Sequence, residues 1–501
     1  MSYAKKALKG TLIIFVFSIL SAFLGYLVRL VLARGLTKEE YGLFYAVFSF
    51  FALLVLFRDL GLNQAVSKFL PEFLHKNDYS SIKNTLISVF SIQTLISVVI
   101  AAVTIIFADQ IAEHFFHTQS ASFVIKLLAL MFLLMPFEDV IMYSFQGFQK
   151  MLYYAGVGFM RILVILMLVS YLLSTGMGIK APVIAYLLAY IIVPLLFIPF
   201  FLREFPQFIT AETKVTKKLI KKLLRFGLPL VAGSFGFILM TYTDTIIISY
   251  FWSLKEVALY QVASPTARLT LYLGYALAAV FLPLSSELWA KGKKENLRIG
   301  MELMYKYSFL AVIPVALLML MFPQLILKIL FGPDYIEAGL VMQILAFGTI
   351  FYTVGHINGN VLSGIGMPGQ NTRILLGAAL FNLVLNLILI PMYGIIGAAV
   401  STLLCWIIIL VLTSIKINKY VMASTPVWAW AKSFAAGGFF VLVIHLLKTW
   451  LVMNIWIELI ISVGAASLVY IALVFTLGLV TKDDLNFFMY SIGRKPLFNK
   501  Q

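Results

Sequence analysis

The chain of 501 residues is 62% hydrophobic and only 12% charged, whereas soluble domains carry about 25% charged residues. This composition excludes a soluble globular protein. The apolar runs recur at lengths close to the ~20 residues that a helix needs to cross a bilayer, and the alternating pattern of membrane barrel strands is absent. The sequence therefore predicts an all-α integral membrane protein that crosses the membrane many times.

The basic residues indicate the topology of this protein. The formal net charge is +17, but most Lys and Arg residues lie in every second short loop between the apolar runs, which is the positive-inside pattern. We therefore expect no nucleic-acid partner, and we expect a location in the cytoplasmic membrane with both termini cytoplasmic. The single cysteine, Cys405, lies within an apolar run, which excludes a disulfide framework and a cysteine-based metal site.

About fourteen apolar segments are long enough to cross the membrane. Their approximate bounds are 10–33, 41–62, 82–107, 122–148, 153–174, 181–202, 226–251, 257–286, 307–331, 337–363, 371–391, 394–415, 427–448 and 455–479. The predicted organisation is an amino-terminal lobe of six spans (1–202), a basic cytoplasmic linker (203–225), a carboxy-terminal lobe of six spans (226–415), and a last part with spans 13 and 14 and a cytoplasmic tail (416–501).

The two lobes repeat each other at a nearly constant offset. KKALKG at 5–10 aligns with KKLLRF at 221–226, and TKEEYGLF at 37–44 aligns with SLKEVALY at 253–260. Because six spans separate the two copies, both have the same orientation in the membrane. This predicts a parallel repeat with a substrate cavity at the interface of the two lobes.

Three arginines are candidates for binding an anionic substrate. An arginine within a span costs about 2.5 kcal/mol or more unless it faces a cavity or a partner. Arg29 lies in the outward part of span 1, where it either lines a cavity or reaches the outer surface along its own stem. Arg268 lies near the middle of span 8, which favours cavity lining over a structural ion pair. Arg58, at the inner end of span 2, is either a gating residue or an interface anchor.

Asp244 is the acid well inside the opening spans of the second lobe. It is a candidate ligand for a coupling ion, a substrate contact, or the partner of Arg268. Arg161 in span 5 is a candidate partner for the acids of span 4, Glu138 and Asp139.

A polar, glycine-rich stretch, GHINGNVLSGIGMPG, occupies the inner part of span 10 and contains His356 and Asn358. It resembles an unwound or kinked segment of a transporter helix. Its polar side chains either contact sugar hydroxyls or only ease helix packing.

The chain lacks the features of a membrane enzyme. No GxxxxGK[ST] sequence is present, which excludes an ATP engine of the P-loop kind, and no outer loop is long enough to hold a catalytic domain. We therefore expect a transporter without a cofactor, driven by the membrane potential or by Na⁺ or H⁺.

Two stretches of the chain carry a family resemblance. The first is LVRLVLARGLTKEEYGLFYAVFSFFALLVLFRDLGLNQAVSKFLPEF at 27–73, and the second is DTIIISYFWSLKEVALYQVASPTARLTLYLGYALAAVFLPLSSEL at 244–288. The first resembles the opening helix pair of the oligosaccharide flippases, a family of the multidrug/oligosaccharidyl-lipid/polysaccharide exporter superfamily. The second resembles that family's pattern of an acid, an outer loop, a tyrosine and a helix ending in Leu-Pro. The similarity extends over essentially the whole chain.

The resemblance implies two six-helix lobes around a central cavity that opens alternately to each side. It implies a flippase that moves a polyprenyl-(pyro)phosphate-linked oligosaccharide across the cytoplasmic membrane for polysaccharide or glycan biosynthesis. Arg29, Arg58 and Arg268 would hold the phosphate head, for which the planar fork of arginine is suited. Beyond Arg58 the chain lacks the arginine-rich inner end of span 2 of the lipid II flippases, which disfavours a peptidoglycan precursor.

Three alternatives stay open: a multidrug or organic-cation antiporter of the same fold, a membrane glycosyltransferase or polymerase, and a scaffold that transports nothing. A cation exporter is expected to line its cavity with acids, whereas the charges within the spans here favour arginine. We expect the lipid bilayer, the lipid-linked oligosaccharide and other glycan-assembly proteins as partners, and a monomeric chain.

Overall fold

A computed structural model describes residues 3–450 and 455–481, and the regular elements of these residues are all helices. In chain order they are α1 (Tyr3–Gly35), α2 (Lys38–Asp59), α3 (Leu62–His75), α4 (Tyr79–Ile106), α5 (Ala108–His114), α6 (Ser120–Gly147), α7 (Met151–Ser174), α8 (Lys180–Glu204), α9 (Gln207–Thr210), α10 (Lys217–Phe251), α11 (Leu254–Arg268), α12 (Leu271–Ala290), α13 (Lys294–Met321), α14 (Pro323–Leu330), a 3₁₀ helix (Pro333–Ala338), α15 (Gly339–Gly364), α16 (Pro368–Asn418), α17 (Val427–Trp450) and α18 (Ile455–Thr476). The predicted all-α membrane fold is confirmed.

The number of membrane spans is lower than predicted when it is judged by helix length and composition. In the described part of the chain, eleven helices are long and apolar enough to cross a membrane, and α10, which is bent by 54°, makes twelve. The eighth predicted span is divided between α11 and α12, and the eleventh and twelfth lie together in α16. The count of fourteen therefore stays a prediction.

Helix α16 is too long for one crossing. It has 51 residues, and a straight helix of that length would measure about 75 Å, more than twice the ~30 Å core of a bilayer. At Gly394 the backbone is not helical, with φ 56° and ψ −135°. This break falls at the first residue of the twelfth predicted span (394–415), and a side chain would be strained there because φ is positive.

The predicted linker is partly helical. The chain leaves α8 at Glu204, forms the short helix α9, and enters α10 at Lys217. Thr216 begins α10 as its cap, because its hydroxyl oxygen accepts a hydrogen bond of 3.2 Å from the amide of Leu219. The last residues of the predicted basic linker, from Lys217, thus belong to a helix that continues into span 7.

The chain divides into two compact units. The first unit contains Met1–Val262, Ile329–Tyr335 and Leu383–Ala398, and within it α1 packs on α7, α4 on α6, and α2 on α10. The second unit contains Ala263–Lys328, Ile336–Asn382 and Ala399–Gln501. Within the second unit, α12 and α13 pack on α15, and α13 packs on α17. The predicted lobe boundaries stay predictions.

The turn between α2 and α3 brings α10 into close contact inside the first unit. Leu60 and Gly61 both have positive φ, 48° and 70°. A Cβ atom on Gly61 would lie 2.2 Å from the carbonyl oxygen of Gly227 on α10. Only glycine fits both this backbone conformation and this contact. The turn places Arg58 and Asp59, the last residues of α2, beside the beginning of α3.

Candidate functional site

Arg29 is held in the first unit by an amide and an aromatic ring. Its Nη1 donates a hydrogen bond of 2.9 Å to Oε1 of Gln261, and Gln261 in turn donates to the hydroxyl of Thr245 over 2.7 Å. The guanidinium carbon lies 4.3 Å from the centre of the Tyr45 ring, a cation–π contact. None of the ion pairs in the described part of the chain contains Arg29.

Tyrosines extend this environment along α2. The ring centres of Tyr41 and Tyr45 are 4.8 Å apart, and Tyr41 lies 6.0 Å from Tyr335 of the 3₁₀ helix. The hydroxyl of Tyr335 donates to the carbonyl oxygen of Ala33 on α1 over 3.2 Å. Neither Tyr45 nor Gln261 stands out in the sequence as a candidate site residue. The four-residue spacing of Tyr41 and Tyr45, which places them on one helix face, was the available signal.

Asp244 is fully buried in the first unit and is bound by neutral donors. Its Oδ2 accepts a hydrogen bond of 2.5 Å from the hydroxyl of Tyr260, and its Oδ1 accepts one of 2.6 Å from the side-chain amide of Asn386. These donors compensate for the loss of water around the carboxylate. Its predicted roles, as an ion ligand, a substrate contact or the partner of Arg268, stay predictions.

Arg268 is the last residue of α11 and belongs to the second unit. Its guanidinium carbon lies 5.8 Å from the centre of the Trp406 ring. Its Nε is buried and has no hydrogen-bond partner among the described residues, and no ion pair among them includes this arginine. Arg268 therefore resembles Arg29: each faces an aromatic ring, and neither forms an ion pair with a carboxylate among the described residues.

Arg58 and Arg161 differ from these two arginines because each has an acid partner on α6. Arg58, which is 2% exposed, forms an ion pair with Asp139. Arg161 forms an ion pair with Glu138, which is fully buried, and lies over the ring of Tyr190 at 5.4 Å. These four arginines thus form two classes, two with an acid partner and two without one among the described residues, and the predicted role of Arg58 at the phosphate stays a prediction.

The part of the glycine-rich stretch that lies in span 10 is helical. Helix α15 continues without a break through the first ten residues of this stretch, including His356 and Asn358, and ends at Gly364, so the expectation that span 10 is unwound at these polar residues is wrong. The glycines serve close packing instead: a Cβ atom on Gly355 would lie 3.1 Å from the backbone nitrogen of Leu410 on α16. A glycine face lets helices approach closely in a membrane without breaking either helix.

His356 and Asn358 lie in packed surroundings in the second unit. The ring of His356 lies 4.7 Å from that of Tyr275 and 5.8 Å from that of Tyr352. Asn358 is fully buried, accepts a hydrogen bond of 2.5 Å from the hydroxyl of Tyr305, and donates one of 3.0 Å to Ser414. Their proposed contact with sugar hydroxyls stays a prediction.

Solved structures share this fold. The lipid II flippase MurJ in an inward closed conformation matches with a TM-score of 0.75 at 18% identity, over 96% of this chain and all of that one. An inward-facing multidrug resistance transporter of the MATE family matches with a TM-score of 0.66 at 15% identity, over 79% of this chain and 95% of that one. The fold is therefore that of the multi-span MATE and MurJ membrane proteins.

The sequence comparisons identify the family. A model described as "Polysaccharide biosynthesis protein" matches residues 7–289, and the MatE model matches residues 229–388. An uncharacterized membrane protein of Methanocaldococcus jannaschii is 36% identical, over 84% of this chain and 85% of that protein. The chain belongs to the polysaccharide biosynthesis protein family.

Two further relatives match over nearly their whole length. A probable low-salt glycan biosynthesis flippase of Haloferax volcanii is 26% identical, over 94% of this chain and 95% of that protein. The stage V sporulation protein B of Bacillus subtilis is 21% identical, over 95% of this chain and 96% of that protein.

Proposed function

We propose that the protein is a flippase for a lipid-linked oligosaccharide, which it moves across the cytoplasmic membrane for the assembly of a surface polysaccharide or glycan. The main observation behind this proposal is that Arg29 and Arg268 each lie against an aromatic ring and have no acid partner among the described residues. Membership of the polysaccharide biosynthesis family and the similarity to a protein named as a probable glycan biosynthesis flippase support the same function.

The chemistry of the two arginines fits a phosphate. A guanidinium group stays charged at all physiological pH values and donates paired hydrogen bonds to phosphate oxygens. In a water-poor site its charge is costly until an anion neutralises it, so binding of a phosphate or pyrophosphate head lowers that cost. Arg58 has to leave Asp139 before it can add a third contact, and we assign the first contacts to Arg29 and Arg268.

We further propose that the protein transports its substrate without changing it covalently. Both termini lie in the cytoplasm, according to the distribution of Lys and Arg. The driving force is the membrane potential or an ion gradient. Asp244, a buried carboxylate with neutral donors, is one candidate for binding such an ion.

An antiporter of drugs or organic cations is the second candidate function, since the MatE model matches residues 229–388. A binding site for cations requires unpaired acids. Among the described residues, Glu138 and Asp139, the two acids of α6, are each paired with an arginine, whereas Arg29 and Arg268 face aromatic rings and are in no ion pair. Arginines without an acid partner favour an anionic substrate.

Flipping can be tested with the purified protein in liposomes that contain a fluorescent polyprenyl pyrophosphate oligosaccharide. We expect wild type to move the lipid between leaflets with its mass unchanged, and Arg268→Ala to lose at least about tenfold in rate. Arg268→Lys should be intermediate, and Lys255→Ala, which removes an exposed cation, should equal wild type. Native mass spectrometry should show the lipid bound to wild type and lost from Arg268→Ala.

Two results would overturn the proposal. Efflux of organic cations without lipid flipping would favour the antiporter. A change in the mass of the lipid during incubation would identify an enzyme.

A further inference from the structure

The two halves of α16 lie together at the ends farthest from Gly394. The thiol of Cys405 in the second half, 395–418, donates to the carbonyl oxygen of Ala378 in the first half, 368–393, over 3.2 Å. Beyond this contact, a cavity of about 280 Å³ lies between the two halves, within the second unit. We name it the α16 pocket, and its lining residues are Gln370, Arg373, Ile374, Gly377, Leu412 and Lys416.

Two of the lining residues are cations, one from each half of α16. Arg373 and Lys416 are in none of the ion pairs of the described residues. No acid is found among the described residues that line the pocket. Two like charges at one cavity repel each other, and an anion placed between them is attracted by both. The α16 pocket is therefore suited to a negatively charged group.

The two cations lie at the same level of the membrane. Each is about 20 residues away from Gly394 along α16, and a helix of that length measures about 30 Å, which is the thickness of the hydrocarbon core. Both cations therefore lie where the core ends and the phosphate groups of the lipids begin. According to the distribution of Lys and Arg, this surface is the cytoplasmic one, and basic pockets between helices at that surface bind the head groups of anionic lipids.

Gln370 adds a hydrogen-bond acceptor to the pocket. Its side-chain nitrogen donates to the hydroxyl of Tyr420 over 3.3 Å, while its Oε1 is buried and has no hydrogen-bond partner among the described residues. A buried acceptor without a donor is costly, because it has left water without a replacement for the lost hydrogen bond. A hydroxyl group beside the anion would supply the missing donor, and a phosphodiester alone has no hydrogen to donate. The ligand is therefore expected to combine a negative charge with a hydroxyl.

The pocket continues into an apolar surface along both halves of α16. Residues four apart lie on one face of a helix. Phe381 follows Gly377 by four residues, and Ile408 precedes Leu412 by four. Phe381 is exposed and Ile408 is half-buried, so both leave apolar surface in contact with the lipid around the protein. A soluble anion gains nothing from this surface, whereas the chains of a lipid bury it.

We propose that the α16 pocket binds the head group of an anionic membrane phospholipid whose phosphodiester carries a hydroxyl-bearing group such as glycerol. The phosphate lies between Arg373 and Lys416, the hydroxyl donates to Oε1 of Gln370, and the chains follow the apolar surface. The volume of about 280 Å³ is close to the lower bound of about 300 Å³ for pockets that hold small ligands, which suits a head group. The lipid joins the two halves of α16. The pocket contains neither Arg29 nor Arg268, and this site does not depend on the flippase function.

Native mass spectrometry of the purified full-length protein, titrated with phosphatidylglycerol or with zwitterionic phosphatidylcholine, tests the role of the two charges. We expect wild type to bind phosphatidylglycerol at least about tenfold more tightly. The double variant Arg373→Ala with Lys416→Ala should weaken this binding about 25-fold, about fivefold for each cation. The matched control, Lys291→Ala with Lys293→Ala, removes two exposed cations of the second unit outside the pocket and should bind like wild type. Equal affinities of wild type for the two lipids, or equal affinities of the two double variants for phosphatidylglycerol, would overturn the proposal.

The same titration with phosphatidylmethanol, which has the charge of phosphatidylglycerol but no free hydroxyl, tests the role of Gln370. We expect wild type to prefer phosphatidylglycerol about twofold to tenfold, the value of one hydrogen bond. Gln370→Leu should bind the two lipids equally. A preference that is absent from wild type, or that persists in Gln370→Leu, would overturn the assignment of the hydroxyl.

Two competitors identify the source of the anion. Inorganic phosphate should not displace phosphatidylglycerol, and displacement at equal concentration would indicate a site for free phosphate and overturn the proposal. Polyprenyl phosphate should bind together with phosphatidylglycerol, and only the polyprenyl phosphate should be lost from Arg268→Ala. Replacement of one lipid by the other would assign the pocket to the transported lipid and overturn the proposal. If polyprenyl phosphate does not bind at all but phosphatidylglycerol still depends on Arg373 and Lys416, the flippase function fails and the phospholipid site stands.

Discussion

The guanidinium carbon of Arg29 lies 4.3 Å from the centre of the Tyr45 ring. A cation–π contact is worth about 0.5–2 kcal/mol, depending on exposure to water. Tyr45→Leu should therefore free Arg29 to change its position and weaken the binding of the lipid phosphate about twofold to thirtyfold, whereas Tyr45→Phe keeps the ring and should bind like wild type. Titration with polyprenyl phosphate, followed by native mass spectrometry, measures the difference. Equal affinities of the Leu and Phe variants would show that the ring does not position Arg29.

The ion pair of Arg58 and Asp139 predicts an asymmetric double-mutant cycle. Asp139→Leu alone leaves a buried guanidinium without its partner, and Arg58→Met alone leaves the buried carboxylate without its partner; each should lower the free energy of unfolding by about 3–5 kcal/mol. Replacing both residues, as Arg58→Met with Asp139→Leu, should cost much less, because two charges then leave the interior together. Unfolding in detergent, followed by intrinsic fluorescence, gives the values. A double variant as unstable as the sum of its single variants would refute the pairing.

The contact of Gly61 with Gly227 predicts a large effect from one methyl group. Gly61→Ala should lower the free energy of unfolding by more than the ~1–3 kcal/mol of a left-handed backbone alone, because its Cβ would lie 2.2 Å from the carbonyl oxygen of Gly227. Gly176→Ala is the matched control: its φ is 78°, and a Cβ atom there has no neighbour within 4 Å. Thermal unfolding of both variants measures the difference. Equal melting temperatures would mean that α10 moves aside without cost.

Asn358 allows the packing role of α15 to be separated from a role in sugar binding. Its buried amide bonds Tyr305 and Ser414, so Asn358→Ala should lower the free energy of unfolding by about 1–3 kcal/mol per polar group left unpaired. We expect the affinity for the lipid-linked saccharide to stay the same. A variant with unchanged stability and reduced affinity for the saccharide, compared with the lipid phosphate alone, would instead support the sugar contact.

The fold class could be predicted because lipid imposes a strict length on apolar helices. The predicted helix boundaries differ from the observed ones where a local change in the backbone ends or interrupts a helix. Span 8 is divided after Arg268, and α16 continues past its first predicted span until Gly394 interrupts it. Hydropathy measures how apolar a segment is, and it carries no information on such breaks.

The candidate site could be predicted only in part. The intramembrane arginines could be identified from the sequence, because a charged side chain within an apolar span is rare and costly in free energy. The sequence did not show which arginines have an acid partner, because partners such as Arg58 and Asp139 are separated by 81 positions. The environments of Arg29 and Arg268 are aromatic and amide contacts, and such side chains are common everywhere in a chain of this composition.

The separation of Arg58 from Asp139 also has a consequence during synthesis. A ribosome adds about 5–20 residues per second, so α2 waits roughly 4–16 s for the acid of α6, 81 positions later. Arg58 is the penultimate residue of α2, where its long stem can keep the charge among lipid head groups until α6 arrives. The same arginine one or two turns earlier in α2 would meet the hydrocarbon alone, and the nascent helix would be prone to slip out of the membrane before its partner exists.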